Sequence, residues 1–213
     1  RRYLSSLALV LLCAVCAFSQ SPTPTPKPPQ TEKAEAILQK AVQKLGGEKY
    51  MQIKTIYSKG TFSSFREGVA EGFSNFLDII VFPGQERTEF KTGGYKMVQT
   101  NDGDTGWIYG EDTRSIVDQN KTQIDDFKRG IKVSIDSALR GYWRRDGAKL
   151  SYVGRREASL GRRNEVVRIT YPDDFWIEYE FSATDGLPAK AFYERPNKEG
   201  VIQKEEDRFA QFV

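Results

Sequence analysis

The pattern of apolar and polar positions changes from a helical period to a strand period early in the chain. Between residues 32 and 45 apolar side chains recur every three or four positions and predict an amphipathic helix: Ala34, Ile37, Leu38, Ala41, Val42 and Leu45. Thr31 is expected to cap its start, and Gly46-Gly47 to end it. From residue 54 onward the period approaches two and turn residues recur about every ten positions, which indicates an antiparallel meander.

Ten strands are predicted in this meander, and one helical segment interrupts them. The predicted strands cover residues 54–65, 72–82, 86–91, 95–100, 106–109, 150–158, 165–171, 175–182, 187–194 and 202–212. Between the fifth and sixth strands, residues 122–144 lose the alternation and predict two short helices that break near Gly130. The expected fold class is α+β and mainly β, with a strongly curved antiparallel sheet folded around helices.

The strand at 175–182 has the clearest alternation of the set. Phe175, Ile177, Tyr179 and Phe181 share one face and are expected to be buried, whereas Glu178 and Glu180 share the other face and are expected to meet water. Residues 76–82 are apolar on both faces, so their inner face is not determined by the pattern.

The N-terminal segment carries the features of an export signal. Arg1-Arg2 precede the apolar run 7–12, and Ala17-Phe18-Ser19 places small residues where a signal peptidase cleaves. We therefore expect a signal peptide at 1–19, a Pro-rich spacer at 20–30 and a folded domain at 31–213. A membrane anchor is disfavoured, because the apolar stretch is short and contains Ser5 and Ser6.

Composition removes the commonest catalytic and metal-binding designs. The chain has no histidine, and its two cysteines, Cys13 and Cys16, lie inside the predicted signal peptide. A Ser-His-Asp triad, a histidine base, a thiol nucleophile and a His- or Cys-based metal site are therefore excluded from the folded domain. Without Arg1 and Arg2 the formal charge falls from +3 to +1, which gives no electrostatic case for binding nucleic acid.

Three sequence elements resemble a known family. The run 81–90, VFPGQERTEF, is followed by an Asp-Gly-x-x-x-Trp-x-Tyr element at 102–109, and Asp185-Gly186-Leu187-Pro188 precedes a strand with Phe192-Tyr193. Together with the N-terminal helix and long strands, this order resembles the LolA-like family of periplasmic outer-membrane lipoprotein carriers. The resemblance covers most of the folded domain.

This resemblance implies an unclosed antiparallel barrel with a helical lid, whose apolar interior holds acyl chains. The implied function is that of a periplasmic, non-catalytic carrier for an acylated lipoprotein or lipid, with no cofactor or metal and with peripheral or no membrane contact. In the carriers an arginine before the strand-ending proline helps to latch the lid, and Phe82 occupies that position here.

The candidate cavity-lining residues are apolar side chains on predicted strands, and the alternative for each is a role in the ordinary core. They are Phe76, Ile80, Phe90, Val98, Trp107, Tyr109, Ile177 and Tyr179.

Paired arginines supply a second candidate contact, for an anionic head group or an acidic partner: Arg155, Arg156, Arg162 and Arg163. The alternative is a solvated face balanced by nearby carboxylates. An envelope sensor that binds a protein partner through these arginines is the second functional hypothesis. A hydrolase that uses aspartate or glutamate is the third, and a hairpin turn explains Asp102 and Asp104 better than a calcium loop does.

Overall fold

The computed structural model describes residues 29–66, 68–197 and 200–212. The predicted signal peptide at 1–19 and all but the last two residues of the predicted spacer at 20–30 lie outside the described residues. Among the helices of the described part, none has the length and apolar character needed to cross a membrane.

The first six strands form one antiparallel meander, the six-stranded sheet. Each strand pairs with the next along the chain. The strands are β1 (Thr55–Arg66), β2 (Val69–Val81), β3 (Gln85–Thr92), β4 (Tyr95–Asp102), β5 (Thr105–Gly110) and β6 (Ser115–Asp118). The first two are much longer than β3, so their hairpin projects beyond the rest of the sheet.

The remaining strands form a second antiparallel meander, the five-stranded sheet. They are β7 (Lys149–Ser159), β8 (Arg162–Thr170), β9 (Trp176–Ser182), β10 (Pro188–Pro196) and β11 (Ile202–Arg208). In the described part of the chain no strand pairing joins the two sheets, so the barrel stays open.

The expected class, mainly β with unclosed antiparallel strands and a few helices, is confirmed. The strands form two sheets instead of one continuous ribbon, because the helical segment separates β6 from β7. The described residues contain eleven strands, and the sequence pattern missed β6, whose four residues are too few to show an alternation.

The N-terminal helix α1 (Pro29–Lys44) begins two residues before Thr31, so Thr31 is not its cap. The Thr31 hydroxyl instead donates a hydrogen bond to the Leu150 carbonyl of β7, at 3.2 Å. The predicted end is confirmed, since Gly46 and Gly47 have φ of 118° and 61°, values that favour glycine. A short helix α2 (Glu48–Gln52) follows.

The inserted segment contains α3 (Lys121–Val133), α4 (Ile135–Leu139) and a 3-10 turn (Tyr142–Arg144). The predicted break near Gly130 is wrong, because α3 runs through Gly130 and ends at Ser134. Ser134 is extended, and its side chain accepts a hydrogen bond from the Ser137 backbone and thereby starts α4. One glycine costs a helix only about 1 kcal/mol, which the capping box at Asn120 helps to offset.

The main core lies on the inner face of the five-stranded sheet, beneath α1 and α4. It combines apolar residues of the helices and of β7 to β10: Ala34, Leu38, Ala41, Ala138, Leu139, Trp143, Leu150, Val167, Ile169, Ile177, Tyr179, Phe181 and Ala191. The Tyr179 hydroxyl donates to the Val133 carbonyl at 3.1 Å, which holds the α3–α4 junction on β9. The core therefore fixes where the helical segment sits.

The outer face of β9 does not meet water as the alternation predicts. Glu178 and Glu180 are only 3% and 2% exposed. Arg156 spans both, donating to Glu178 at 2.7 Å and to Glu180 at 2.8 Å, and Arg168 donates to Glu178 at 2.6 Å. Burial tends to raise the pKa of Glu180, but hydrogen bonds from Asn164, Arg156 and Lys190 outweigh it and lower that pKa. Long basic side chains therefore replace water as the cover of this face.

We expect Arg156→Met to lower the free energy of unfolding by about 1 to 2 kcal/mol, because it removes one partner from each of two buried carboxylates. The effect stays below that of a fully buried pair, since the Arg156 side chain is 41% exposed. Urea unfolding measures it. Arg155→Met is the matched control, because within the described residues Arg155 pairs only with Glu165, and it is 57% exposed. Equal stability of the two variants would contradict the prediction.

Candidate functional site

A cavity of about 470 Å³ lies between the inner face of the six-stranded sheet and the helices α3 and α4. This volume is within the range of small-molecule sites in proteins. The sheet side is formed by Ile80, Phe82, Glu86, Thr88, Phe90 and Gln99, and the helical side by Gln123, Asp126, Phe127, Gly130, Ile131, Ser134, Asp136 and Ser137.

The sheet side of the cavity changes from aromatic to acidic along β3. Phe90, Thr88 and Glu86 share one face because successive side chains alternate, and the register places Phe76 opposite Phe90. The Phe62 ring lies 6.4 Å from that of Phe90 in an edge-to-face arrangement and is 58% exposed. Aromatic side chains thus continue from the cavity toward solvent along the β1–β2 hairpin.

The helical side is one face of α3 continued into α4. The lining positions of α3 are spaced three or four residues apart, so they form a single stripe in which Phe127 and Ile131 supply the apolar part. Gly130 lies between them, and a Cβ atom built there has no atom within 4 Å. The missing side chain at Gly130 therefore keeps part of the cavity open.

All charged residues that line the cavity are acidic. Asp126 pairs with Arg129 at 2.7 Å, and Asp136 accepts a hydrogen bond from the Tyr50 hydroxyl at 2.7 Å. Glu86 has no hydrogen-bond or ion-pair partner within the described residues. Burial, and secondarily the nearby charge of Asp78, raise the pKa of Glu86 to about 7. The carboxyl of Glu86 is thus a half-buried group available to a ligand.

One end of the cavity is closed by contacts between Phe82 and the helical segment. The Arg140 guanidinium lies 4.1 Å from the centre of the Phe82 ring and 4.9 Å from that of Tyr50. Arg140 also donates to the Tyr50 and Met51 carbonyls, both at 3.1 Å. Phe82, which stands where the carriers have an arginine, thus contacts an arginine that comes from the helical side.

The candidate lining residues lie in three places. Ile80 and Phe90 line the cavity, and Phe76 shares their face. Val98 is next to the lining residue Gln99, so its side chain points to the opposite face of the six-stranded sheet. Tyr109 is paired with Val98, and Trp107 with Thr100, so both aromatic side chains also lie on the face away from the cavity. Ile177 and Tyr179 are fully buried in the core of the five-stranded sheet.

The lining residues missed in the sequence include Glu86, Phe127 and Ile131. Phe127 and Ile131 are four apart on α3, a spacing that predicts one helix face but not what that face meets. Glu86 lies within the run that carries the family resemblance, but a search for apolar lining passes over a carboxyl group.

The candidate arginines divide into two groups. Arg155 and Arg156 are engaged in ion pairs with glutamates of the same sheet. Arg162 and Arg163 are exposed, start β8 and line a groove of about 550 Å³ together with Phe209 and Phe212. Neither forms an ion pair with any described residue.

We expect Glu86→Gln to stabilise the protein at high pH and to have little effect at low pH. Folding raises the pKa of Glu86 from 4.5 to about 7, so between these two pH values the folded state holds a proton that the unfolded state has lost. The free energy of unfolding therefore falls as the pH rises from 4.5 to about 7. Thermal melts at about pH 8 should show a higher Tm for Glu86→Gln than for the wild type, and the difference should vanish near about pH 4 to 5.

The control for this experiment is Glu157→Gln, which changes an exposed glutamate of β7. A Tm difference for Glu86→Gln that does not change with pH would contradict the assignment of the raised pKa.

No protein-family model matches the chain, and no curated protein matches it in sequence. Solved structures similar to it include a LolA superfamily protein from Nitrosomonas europaea, with 11% identity and a TM-score of 0.49, over 84% of this chain and 78% of that one. The MucA/MucB complex of Pseudomonas aeruginosa matches at 19% identity and a TM-score of 0.31, over 83% of this chain and 55% of that one. An uncharacterized conserved protein from Thermus thermophilus matches at 13% identity and a TM-score of 0.34, over 84% of this chain and 90% of that one. Similarity at this level does not transfer a ligand or a partner.

Proposed function

We propose that this protein is an exported, periplasmic, non-catalytic binding protein that shields the acyl part of a lipid or lipoprotein in the cavity beneath α3. The observation that carries the proposal is the cavity of about 470 Å³ between that helix and the six-stranded sheet, with Phe82, Phe90, Phe127 and Ile131 in its walls. Most of the polar lining groups are hydroxyls and amides without charge, which tolerate a chain passing beside them.

The energetics of such a site require shape and an apolar wall. Burying one methylene stabilises a complex by about 0.8 kcal/mol, so an acyl chain of roughly ten carbons supplies ample gross affinity without a specific anchor. The entropy that the acyl chain loses on binding offsets part of this gross binding free energy.

The attachment of α3 suits a site that must also release its ligand. The helix packs chiefly against α4, whereas α1 packs on β7 and β8. Toward the six-stranded sheet α3 faces the cavity, and the ion pair from Lys128 to the exposed Asp104 holds it there. Breaking one exposed ion pair costs little, so the part of α3 near Lys128 can move while the end of the helix stays held at Val133 by Tyr179.

We expect Gly130→Leu to reduce acyl binding at least about tenfold, because Gly130 lines the cavity, the position of its missing Cβ is open, and a leucine side chain would occupy part of that space. Binding is measured by native mass spectrometry of the protein purified from its own envelope and by titration with the neutral fluorophore N-phenyl-1-naphthylamine.

Gly130→Ala is the matched control. It adds only a methyl group and should stabilise the protein by about 0.5 to 1 kcal/mol, because alanine is the better helix former, with most binding retained. Undiminished binding by a folded Gly130→Leu variant would contradict this location of the site. An empty protein under conditions that retain acyl ligands would contradict the proposed function.

A second candidate function is the binding of an acidic protein partner by the groove beside Arg162 and Arg163. Two observations favour it: both arginines lack an ion-pair partner among the described residues, and the neighbouring Leu160 is 97% exposed. Such a surface combines charge with an apolar contact, as interface centres do.

We expect the double variant Arg162→Glu, Arg163→Glu to separate the two functions. If a partner binds at the groove, affinity purification from the envelope should lose that partner while the acyl content stays unchanged. Lys204→Glu, which reverses an exposed charge on β11, is the control. Retention of the partner by the double variant would exclude this groove as the contact.

A further inference from the structure

The charge of the cavity walls has one sign. Its lining contains Glu86, Asp126 and Asp136, and no lysine or arginine of the described part of the chain lies in it. Asp78 adds a fourth carboxyl group on the same face of the six-stranded sheet, where it accepts a hydrogen bond from Thr88 at 2.8 Å. A ligand that enters this space meets Glu86 and Asp136 beside the Phe82 ring at one end, and the Phe90 ring at the other.

The nearby basic side chains are committed to other partners. Arg87, next to Glu86, points to the opposite face and pairs with Glu89 at 2.6 Å. Arg140 is held by two backbone carbonyls and by the rings of Phe82 and Tyr50. The protein therefore supplies no described cation to Glu86, and a half-buried carboxylate without a partner is costly.

We infer that the cavity selects amphiphiles with a cationic, ammonium-bearing head group over those with a carboxylate head group, and that Glu86 is the residue that contacts the ammonium. This inference rests on the proposed function, and it names the chemical class of the ligand. An ammonium group would supply the charge-assisted hydrogen bond that Glu86 lacks. A carboxylate head group at the same place would instead lie beside Glu86, with the charge of Asp78 nearby.

The positions of the two ends fit a ligand of this kind. Phe90 and Glu86 lie four residues apart on one face of β3, which separates them by about 13 Å along the strand. An alkyl chain can therefore lie against Phe90, Phe76 and Phe62 while its head group reaches Glu86. Asp136 lies at this same end, since Arg140 links it to Phe82: its Nε is 3.6 Å from an Asp136 carboxylate oxygen.

The selectivity should depend on pH. Asp78 from β2 is the charged group that acts on Glu86, and on the helical wall Asp126 is paired with Arg129 and Asp136 with Arg140. A bound ammonium favours the ionised form of Glu86. The affinity of the ammonium amphiphile should therefore rise between about pH 6 and pH 8, while the affinity of a carboxylate amphiphile should fall.

The experiment compares two probes with the same alkyl chain, dodecylammonium and dodecanoate, both below their micelle concentrations. Each is titrated against the full chain preloaded with N-phenyl-1-naphthylamine, and displacement gives the affinity. We expect dodecylammonium to bind at least about tenfold tighter than dodecanoate at about pH 8. Butylammonium should not displace the fluorophore, which controls for binding of ammonium to the surface.

Glu86→Gln should reduce this preference to less than about threefold, whereas Glu157→Gln should retain it. The Glu86→Gln melt described above establishes that the variant is folded.

Each negative result would contradict a different statement. If dodecanoate binds as tightly as dodecylammonium or more tightly, the inferred selectivity is wrong and the acyl-binding function stands. If the preference survives in Glu86→Gln, the assignment of Glu86 is wrong. If neither probe displaces the fluorophore at any pH, the proposed function itself is contradicted.

Discussion

The burial of β8 and β9 beneath α1 and α4 is the interaction on which the rest of this architecture depends. Residues such as Val167, Ile177 and Phe181 bring most of the closely packed apolar surface to the five-stranded sheet. Tyr179 then holds the end of α3 at Val133. Because the helical segment is anchored on that side, the six-stranded sheet receives only one face of α3 as its cover, and the space between them stays partly unfilled.

The two sheets place glutamates in contrasting environments. Glu178 and Glu180 are almost inaccessible to water, yet each is matched by arginine, lysine or asparagine donors. Glu86 is less buried and has no such donor among the described residues. The first arrangement leaves neither glutamate without donors, so removing one of those donors would destabilise the fold. The second raises the pKa of the Glu86 carboxyl to about 7, so that a bound group can change its charge near neutral pH. Shifted pKa values of this kind are common at binding sites.

Local patterns predicted the elements well and their contacts less well. The helical stripe that begins at Ala34, the glycines after it and ten of the eleven described strands follow from periods of 3.6 and two residues and from turn chemistry. The same alternation led to a wrong expectation for Glu178, because a period of two separates the faces of a strand but does not show which distant side chains cover them. Arg168 reaches Glu178 from the neighbouring strand β8, and Arg156 reaches it from β7, two strands away, a match that depends on register.

The site itself was predictable only in part. Ile80 and Phe90 were recognised as apolar strand residues, and the structure places them in the cavity wall. Trp107 has the same character, but it lies on the other face, since the inner face of a strand that is apolar on both sides cannot be read from its pattern. The helical wall depends on a tertiary arrangement, the position of α3, for which the chain carries no local signal.

The glycine in the middle of α3 affects how deep the cavity beneath that helix is. Gly130 neither ends the helix nor forms a turn, and it contributes only the absence of a side chain above the cavity. Exchanging this one residue for alanine, valine or a larger side chain would shorten the accessible depth stepwise, while the caps of the helix and both sheets stayed as they are. The size of the side chain at position 130 would thus act as a ruler for the depth of the space beneath α3.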